Sequence, residues 1–376
     1  MTHSLRPVRI LMRGVTLVEL MVGMTIGLVV VVIVTQVLFM AEGQKRTTTS
    51  GSDAQVNGAL ALYTLQREIQ AAGYGLATTS SALGCEIRAQ RGGVNQSWTL
   101  APVVITDGAG GAPDSLSTLS ASKLSPSLPT KVTENHPTTS TEFLVSTRVG
   151  IATGDVLIAV PNIIDASHWC SMLNATGVLS DAAGYHVAHV AGTTGPWNQD
   201  PTTTIFPTGG YDAGSYLISV GQLLRRVYSV DTTTKTLQTQ VQNTQAGLAL
   251  STPDSLYPQI VNLQAMYGKD TNGDGVVDTY DNDTPTTGAG WSQVLAVRIA
   301  VVTRSTQYEK EAVTFAEPLW DFGSAPAVAG SVPCSAAAGA NKCVTLKVNN
   351  LSDWDHYRYK VYDSVVPLRN VLWSSS

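Results

Sequence analysis

The sequence is short of charge. Only 14% of its 376 residues are Asp, Glu, Lys or Arg, and only five are Phe. Lys and Arg number 23 against 28 Asp and Glu, for a formal net charge of −5. Nonspecific nucleic-acid binding draws on clustered Lys and Arg against phosphates, so this balance excludes it and no nucleic-acid partner is expected. There is no GxSxG, P-loop, GxGxxG or HExxH, so no reaction class is assigned and the chain reads as a non-enzyme. None of the four cysteines has CxxC spacing, which removes a redox pair or a zinc knuckle. The histidines form no site either. His186 and His189 stand three apart in a strand-like run and so fall on opposite faces, and His168 beside Cys170 is incidental.

The charge that is missing elsewhere is concentrated at the start. Residues 1–14 carry Arg6, Arg9 and Arg13 and no acid, and the run Val15 to Met40 then holds Glu19 as its single ionisable side chain. At about 1.5 Å per residue a helix over that run reaches about 39 Å, enough for a hydrocarbon core of about 30 Å. A basic stretch before an apolar helix keeps the N-terminus cytoplasmic. A secretory signal would be shorter and would end at a small-residue cleavage site. Here the small residue, Gly14, stands before the apolar run. Cutting after it would leave Val15 with a free α-amine and take the formal charge from −5 to −8. An acid inside such a helix normally faces a partner, and Glu19 needs a positive one.

"RGVTLVEL" resembles the class III signal of type IV prepilins. The resemblance implies cleavage by a prepilin peptidase between Gly14 and Val15, N-methylation of Val15, and pairing of Glu19 with the N-terminus of an adjacent subunit during assembly. Val15 stands where the family most often has Phe. "LYTLQREIQAAGYG", "MYGKDTNGDGVVDTYD…WSQVLAVRIAVVTRS" and "YKVYDSVVPLRN" further resemble the PilW branch of minor pilins, so the likeness covers residues 13–75, 258–306 and 357–373. It implies a pilin-like α+β fold, with a long N-terminal helix packed on an antiparallel sheet and an enlarged head. The implied partners are other minor pilins, the major pilin, the prepilin peptidase, the inner-membrane assembly platform and a large tip adhesin. The implied location is the bacterial inner membrane, head periplasmic, and then the pilus fibre. The expected role is a minor pilin that primes assembly at the tip. The alternatives are a pseudopilin of a type II secretion system and a tip adhesin.

The expected segments are a leader over 1–14, a membrane and polymerisation helix over 15–40, an amphipathic continuation over 41–75 and a β-rich head over 76–376. The polar stretch "AEGQKRTTTSGSDAQ" allows either a helix extension or a break. Beyond it Asp53 suits an N-cap and Gly73 a stop. Two stripes follow helical spacing: Val56, Leu60, Tyr63 and Arg67, and beside them Leu62, Leu65, Ile69 and Ala72. About 300 residues remain for the head, near the limit of one core and with room for a lobe inserted in its first half. Its clearest strands are "TEFLVSTRVG", "GDVLIAVPN", "GYHVAHVAG", "GSYLISVGQLLRRVYSVD", "QIVNLQAMYG", "WSQVLAVRIAVVTRS" and "HYRYKVYDSVVPLRNVLW".

Four cysteines in an exported chain suggest two disulfides, with three connectivities open. Cys334 and Cys343 bracket the small loop "SAAAGANK", which closes easily, so the expected pairs are Cys334 with Cys343 and Cys85 with Cys170. "DTNGDGVVDTYD" places oxygen ligands at positions 1, 3, 5, 9 and 12 of a calcium loop: Asp270, Asn272, Asp274, Asp278 and Asp281. The Val276 carbonyl serves at position 7 and Gly275 turns the chain at position 6. Position 12 is Asp where an EF-hand has Glu, as in the loops of dockerins. Hard oxygens select Ca²⁺, and its expected role is structural.

Overall fold

The computed structural model describes residues 14–76, 82–123, 128–192, 195–198, 205–244, 249–324, 326–337 and 339–372. The leader expected over 1–13 lies outside them. The chain divides into two compact units, Met1–Ser52 and Asp53–Ser376.

The described part of the first unit is helical from Leu17 onward, exposed over 14–46, and carries the one helix among the described residues long and apolar enough to cross a membrane. That helix, α1, runs without a break from Leu17 to Ala71. The polar stretch is therefore an extension. Asp53 is an exposed mid-helix residue and caps nothing.

In the second unit α1 buries Ala54, Gly58, Ala61, Leu65, Ile69 and Ala72. This 3.6-residue periodicity matches the second expected stripe and corrects the first. Val56, Leu60 and Tyr63 are 54%, 44% and 61% exposed. Small residues fill the first turns of the buried face because the sheet passes close. A Cβ on Gly58 would lie 2.4 Å from the Tyr362 ring and 2.6 Å from Thr303. The helix ends where expected, with Gly73 at φ +78° and its N–H donating to the Leu119 carbonyl. The last carbonyls, Gln70 to Ala72, accept from the side-chain amide of Asn370 at 3.4, 3.3 and 2.9 Å.

Two five-stranded sheets receive this helix. One follows the order Asp254–Pro258, Thr236–Asn243, Leu223–Asp231, Ser115–Ala121, Val103–Thr106. The other runs Ala327–Val328, Thr279–Asp281, Ile260–Lys269, Val294–Arg304, Tyr359–Pro367. Leu65 and Ile69 pack in one core with Leu116, Leu237, Leu263, Val297, Ile299 and Val301. The far face of the second sheet is covered as well. Val261, Met266, Ala300 and Val302 meet Trp320, Phe322 and Leu346 of a small C-terminal sheet. A strand buried on both faces needs a continuous apolar run, which is why "VLAVRIAVV" shows no alternation.

The lobe expected in the first half is a six-stranded sheet with a three-stranded one beside it. The first has the order Val94–Thr99, Glu86–Arg91, Cys170–Asn174, Val156–Val160, Tyr216–Gly221, Thr130–Lys131, and the second the order Glu142–Val145, Gly184–Ala188, Gly177–Asp181. Alternate residues of Val156–Val160 enter two separate cores: Val156, Ile158 and Val160 on one side, Leu157 and Ala159 on the other. The run "GSYLISVGQLLRRVYSVD", expected as one strand, is two. At Gly221, with φ +66°, the chain leaves the lobe sheet and enters the helix-facing one. The first lobe hairpin, Glu86–Arg91 with Val94–Thr99, turns through Gly92 and Gly93, both left-handed, a two-residue signal that the sequence reading passed over.

The disulfides join Cys85 to Cys170 and Cys334 to Cys343. The first secures the edge of the lobe, where Ile87 pairs with Cys170 between parallel strands. The second closes the hairpin between Val332–Pro333 and Lys342–Thr345.

Candidate functional site

The helix start is built by four residues. Gly14, Val15 and Thr16 precede the first turn, and Thr16 and Glu19 cap it reciprocally. The Thr16 N–H and Oγ1–H both donate to Glu19 Oε2 at 3.3 Å, and the Glu19 N–H donates to Thr16 Oγ1 at 3.2 Å. This is a capping box, signalled in the sequence by T-L-V-E and not read there. It satisfies two of the four free amides that every helix start presents. Glu19 therefore has an intrachain partner, and its carboxylate lies exposed at the positive end of the helix, where negative charge is stabilised. Gly14 has open space around its Cα.

The second candidate is the hairpin loop between Ile260–Lys269 and Thr279–Asp281, closed by the Asp278 N–H donating to the Lys269 carbonyl at 2.9 Å. Asp270 organises it. Its carboxylate accepts from the N–H groups of Asn272 (3.2 Å), Gly273 (2.6 Å) and Gly275 (2.7 Å), and these bonds, Gly275 first, hold its pKa below the usual carboxylate value. Gly273 and Gly275 both sit at φ +83°, a backbone open to glycine, so the turn requires them. Asp274 accepts from the Val276 N–H, and Asp278 from the N–H and hydroxyl of Thr271. The Asn272 amide spans Asp274 and Asp278 at 3.3 Å each.

Of the expected ligands, Asp270, Asn272, Asp274 and Asp278 are brought to one loop. Asp281 is not. It stands in the following strand and is ion-paired with Lys269, whose Nζ is 2.5 Å away. The donor set is thus four side chains and the Val276 carbonyl. Five hard oxygens, completed by water, fit Ca²⁺, which takes six to eight. The strongest mark of the fit is Asn272, whose amide already bridges two carboxylates at the place where a cation would neutralise them. Elsewhere Asp321 lies beside Cys334 and Cys343, but a disulfide has no thiolate to offer a metal.

The histidines divide by face as the spacing required. His186 bonds Asp181 at 2.9 Å and Glu142 at 3.3 Å, and these raise its pKa. His189 points into the lobe core, Nε2 to Nε2 with His136 at 2.8 Å, among Phe143, Phe206 and Tyr211. His168 pairs with Asp165 on the surface.

The described residues form a long apolar N-terminal helix and a mostly antiparallel β-rich head. Residues 227–370 match the family model of the type IV pilus-assembly protein W. Over that stretch the chain is similar to this family, and the matched residues include strands of both helix-facing sheets and the C-terminal sheet beyond them. The match takes in 227–257 and 307–356, which the sequence resemblance had left out, and it does not extend to the helix at 13–75. Among solved structures a type IV-like pilin from Thermus thermophilus is similar, at 11% identity over 84% of this chain and 96% of that one, with a TM-score of 0.33. At that score the superposition says nothing further about this chain. No curated protein matches.

Proposed function

We propose that this protein is a minor pilin that primes assembly of a type IV pilus and sits at or near its tip, incorporated through its N-terminal helix. The family match to a pilus-assembly protein carries the reading, and the apolar helix opening at Glu19 supports it. A prepilin peptidase cuts between Gly14 and Val15, and the new amine is N-methylated. On assembly, Glu19 exchanges the Thr16 cap for the N-terminal ammonium of a neighbouring subunit. Until then the helix holds the protein in the inner membrane with the head in the periplasm. Other minor pilins and the assembly platform are its first partners. The loop Asp270–Asp278 binds a structural Ca²⁺.

The decisive experiment counts surface pili by electron microscopy in cells lacking this gene and unable to retract pili. Loss or scarcity of pili establishes priming. Normal numbers overturn it and turn attention to exported enzymes, the output of a secretion pseudopilin. Glu19→Ala leaves the protein in the membrane fraction and excludes it from sheared filaments; normal incorporation would sink the assembly role of Glu19.

A further inference from the structure

Among the described residues Arg225 has no counterion. It lies in the strand Leu223–Asp231, opposite Leu119, and its Nε donates to Ser117 Oγ at 2.8 Å. Its neighbour Arg226 pairs with Glu68 at 3.1 Å, whereas no carboxylate among the described residues pairs with Arg225. Burial alone displaces its pKa, downward from the usual guanidinium value. A half-buried guanidinium held this way has lost part of its hydration and gained one neutral hydrogen bond, and its Nη donors stay open to a ligand.

The guanidinium does not face a blank surface. It lines a cavity of about 250 Å³ together with Ser97, Trp98, Thr99, Val104 and Ser117. The indole Nε1–H of Trp98, another lining residue, is buried without a hydrogen-bond partner. Ser97 is occupied, its hydroxyl donating to Glu86 at 2.6 Å, and Glu86 is also held by Arg88. The Ser117 hydroxyl accepts from Arg225 and keeps its own proton to donate. The walls come from two sheets: Ser97 to Thr99 from the edge strand of the lobe, and Val104, Ser117 and Arg225 from the helix-facing sheet.

We propose that this cavity binds a carboxylate on a short apolar stem, with Arg225 taking its two oxygens as a planar pair. The fork of guanidinium donors matches a carboxylate in geometry, and the pair is charge-assisted. One cation with no lysine beside it balances a single negative charge, which favours a carboxylate over a dianionic phosphate. Val104 and Leu119 offer apolar wall for a carbon stem. At about 30 Å³ per water, the volume is that of roughly eight waters, room for an amino-acid-sized group and not for a folded domain. Such a group is either the C-terminus of another chain or an acidic side chain from it. Its oxygens reach Arg225 first, and a small shift of the indole brings Trp98 into the bond. This site is independent of the pilus reading.

The test uses the full-length chain in detergent micelles with 5-fluorotryptophan, the Trp98 signal being assigned with Trp98→Phe. Fluorine spectra are followed while N-acetylalanine (a chain-terminus mimic) and N-acetylglutamate α-methylamide (a side-chain mimic) are added at constant ionic strength, against inorganic phosphate and chloride. We expect a saturable shift of the Trp98 signal with a carboxylate and little movement of the other tryptophans. Arg225→Gln should weaken it at least tenfold and Arg225→Lys by less; the tighter mimic identifies the source. If Arg225→Gln does not fold, Ser117→Ala, which removes the hydroxyl orienting the guanidinium, must weaken saturation. No saturable shift, an unchanged one in these variants, or saturation by phosphate alone overturns the proposal.

Discussion

The two regions of the head are built from different solutions to the same problem. The helix-facing sheets are organised by α1. They share one core with Leu65 and Ile69, and their strands are long, up to Ile260–Lys269 and Val294–Arg304. The lobe touches no such organiser. It is made of strands of mostly four to six residues around two smaller cores, tied by Cys85–Cys170, and it buries the His136–His189 pair. The family match begins inside the strand Leu223–Asp231, just after the chain has left the lobe, and ends at Asn370. The matched part supplies most of the strands that hold the helix, while Val103–Thr106 and Ser115–Ala121 precede it. The lobe lies outside that match, and it is held by a covalent link and by local packing.

That contrast can be broken at the lobe first. Replacing Cys85 and Cys170 by serine frees a closure 85 residues long, worth about 4–5 kcal/mol in the chain-entropy view, against about 2–3 kcal/mol for the nine-residue closure at Cys334 and Cys343. Denaturant unfolding should show the lobe melting first in the former variant only; equal losses would mean that the lobe is as well organised as the rest.

The next effect falls on the helix side. Gly58→Leu drives a side chain into Tyr362 and Thr303 and should cost about 3 kcal/mol, the upper range for overpacking, while Gly51→Leu, with open space around it, should leave the melting temperature of the head unchanged. Similar melting of both variants would show that α1 does not press on the sheet at Gly58.

Acid separates the regions again. Burial pushes the pKa of His136 down to about 3 and that of His189 down to about 4, with no acid in the aromatic cage to offset it. A folded pKa below the unfolded value of about 6.5 means that the unfolded chain binds more protons, so stability is complete above pH 6.5 and is lost as pH falls below it. At pH 5 the loss is about 2 kcal/mol per ring at most. Thermal melts between pH 7 and pH 5 should show it, and His136→Phe with His189→Leu should flatten the profile; an unaltered slope would place the acid sensitivity elsewhere.

Two smaller effects sharpen the helix-facing side. Chelation should lower the melting temperature of the wild-type chain by a few degrees, and Asp274→Ala should abolish that dependence, whereas Asp281→Ala, which removes only the Lys269 partner, should keep it. Indifference of the wild type to millimolar Ca²⁺ ends the metal reading. Asn370→Ala leaves the last carbonyls of α1 without their side-chain donor and should cost about 1 kcal/mol. A null effect in urea titrations would assign those carbonyls to water.

How much of this could be read from residues depends on whether the signal was local. The apolar run, the Gly73 stop and the strands rich in Val and Ile are local, because period and turn chemistry are properties of neighbours in the chain. The calcium-type loop was legible as a spacing, but Asp281 was misplaced, since nothing in the spacing says that Lys269, across the hairpin, would take it. The stripe containing Val56, Leu60 and Tyr63 was chosen for its hydrophobicity, yet the buried face is the one with small residues. Apolar size indicates burial only where there is room for it, and room is set by the sheet.

The sequence by itself determined the apolar helix with its acid at the third turn position, the β-rich character of the head, the alternation that parts His186 from His189 and the short disulfide loop, all fixed by covalent order and periodicity. Only the tertiary structure decided which helix face met the sheet, that one strand-like run changes sheets at Gly221, that Asn370 caps a helix ended about three hundred residues earlier, and that Arg225 lines a cavity with no counterion among the described residues. These are contacts between distant segments, selected by shape and by the need to satisfy buried polar groups, and no local pattern encodes them.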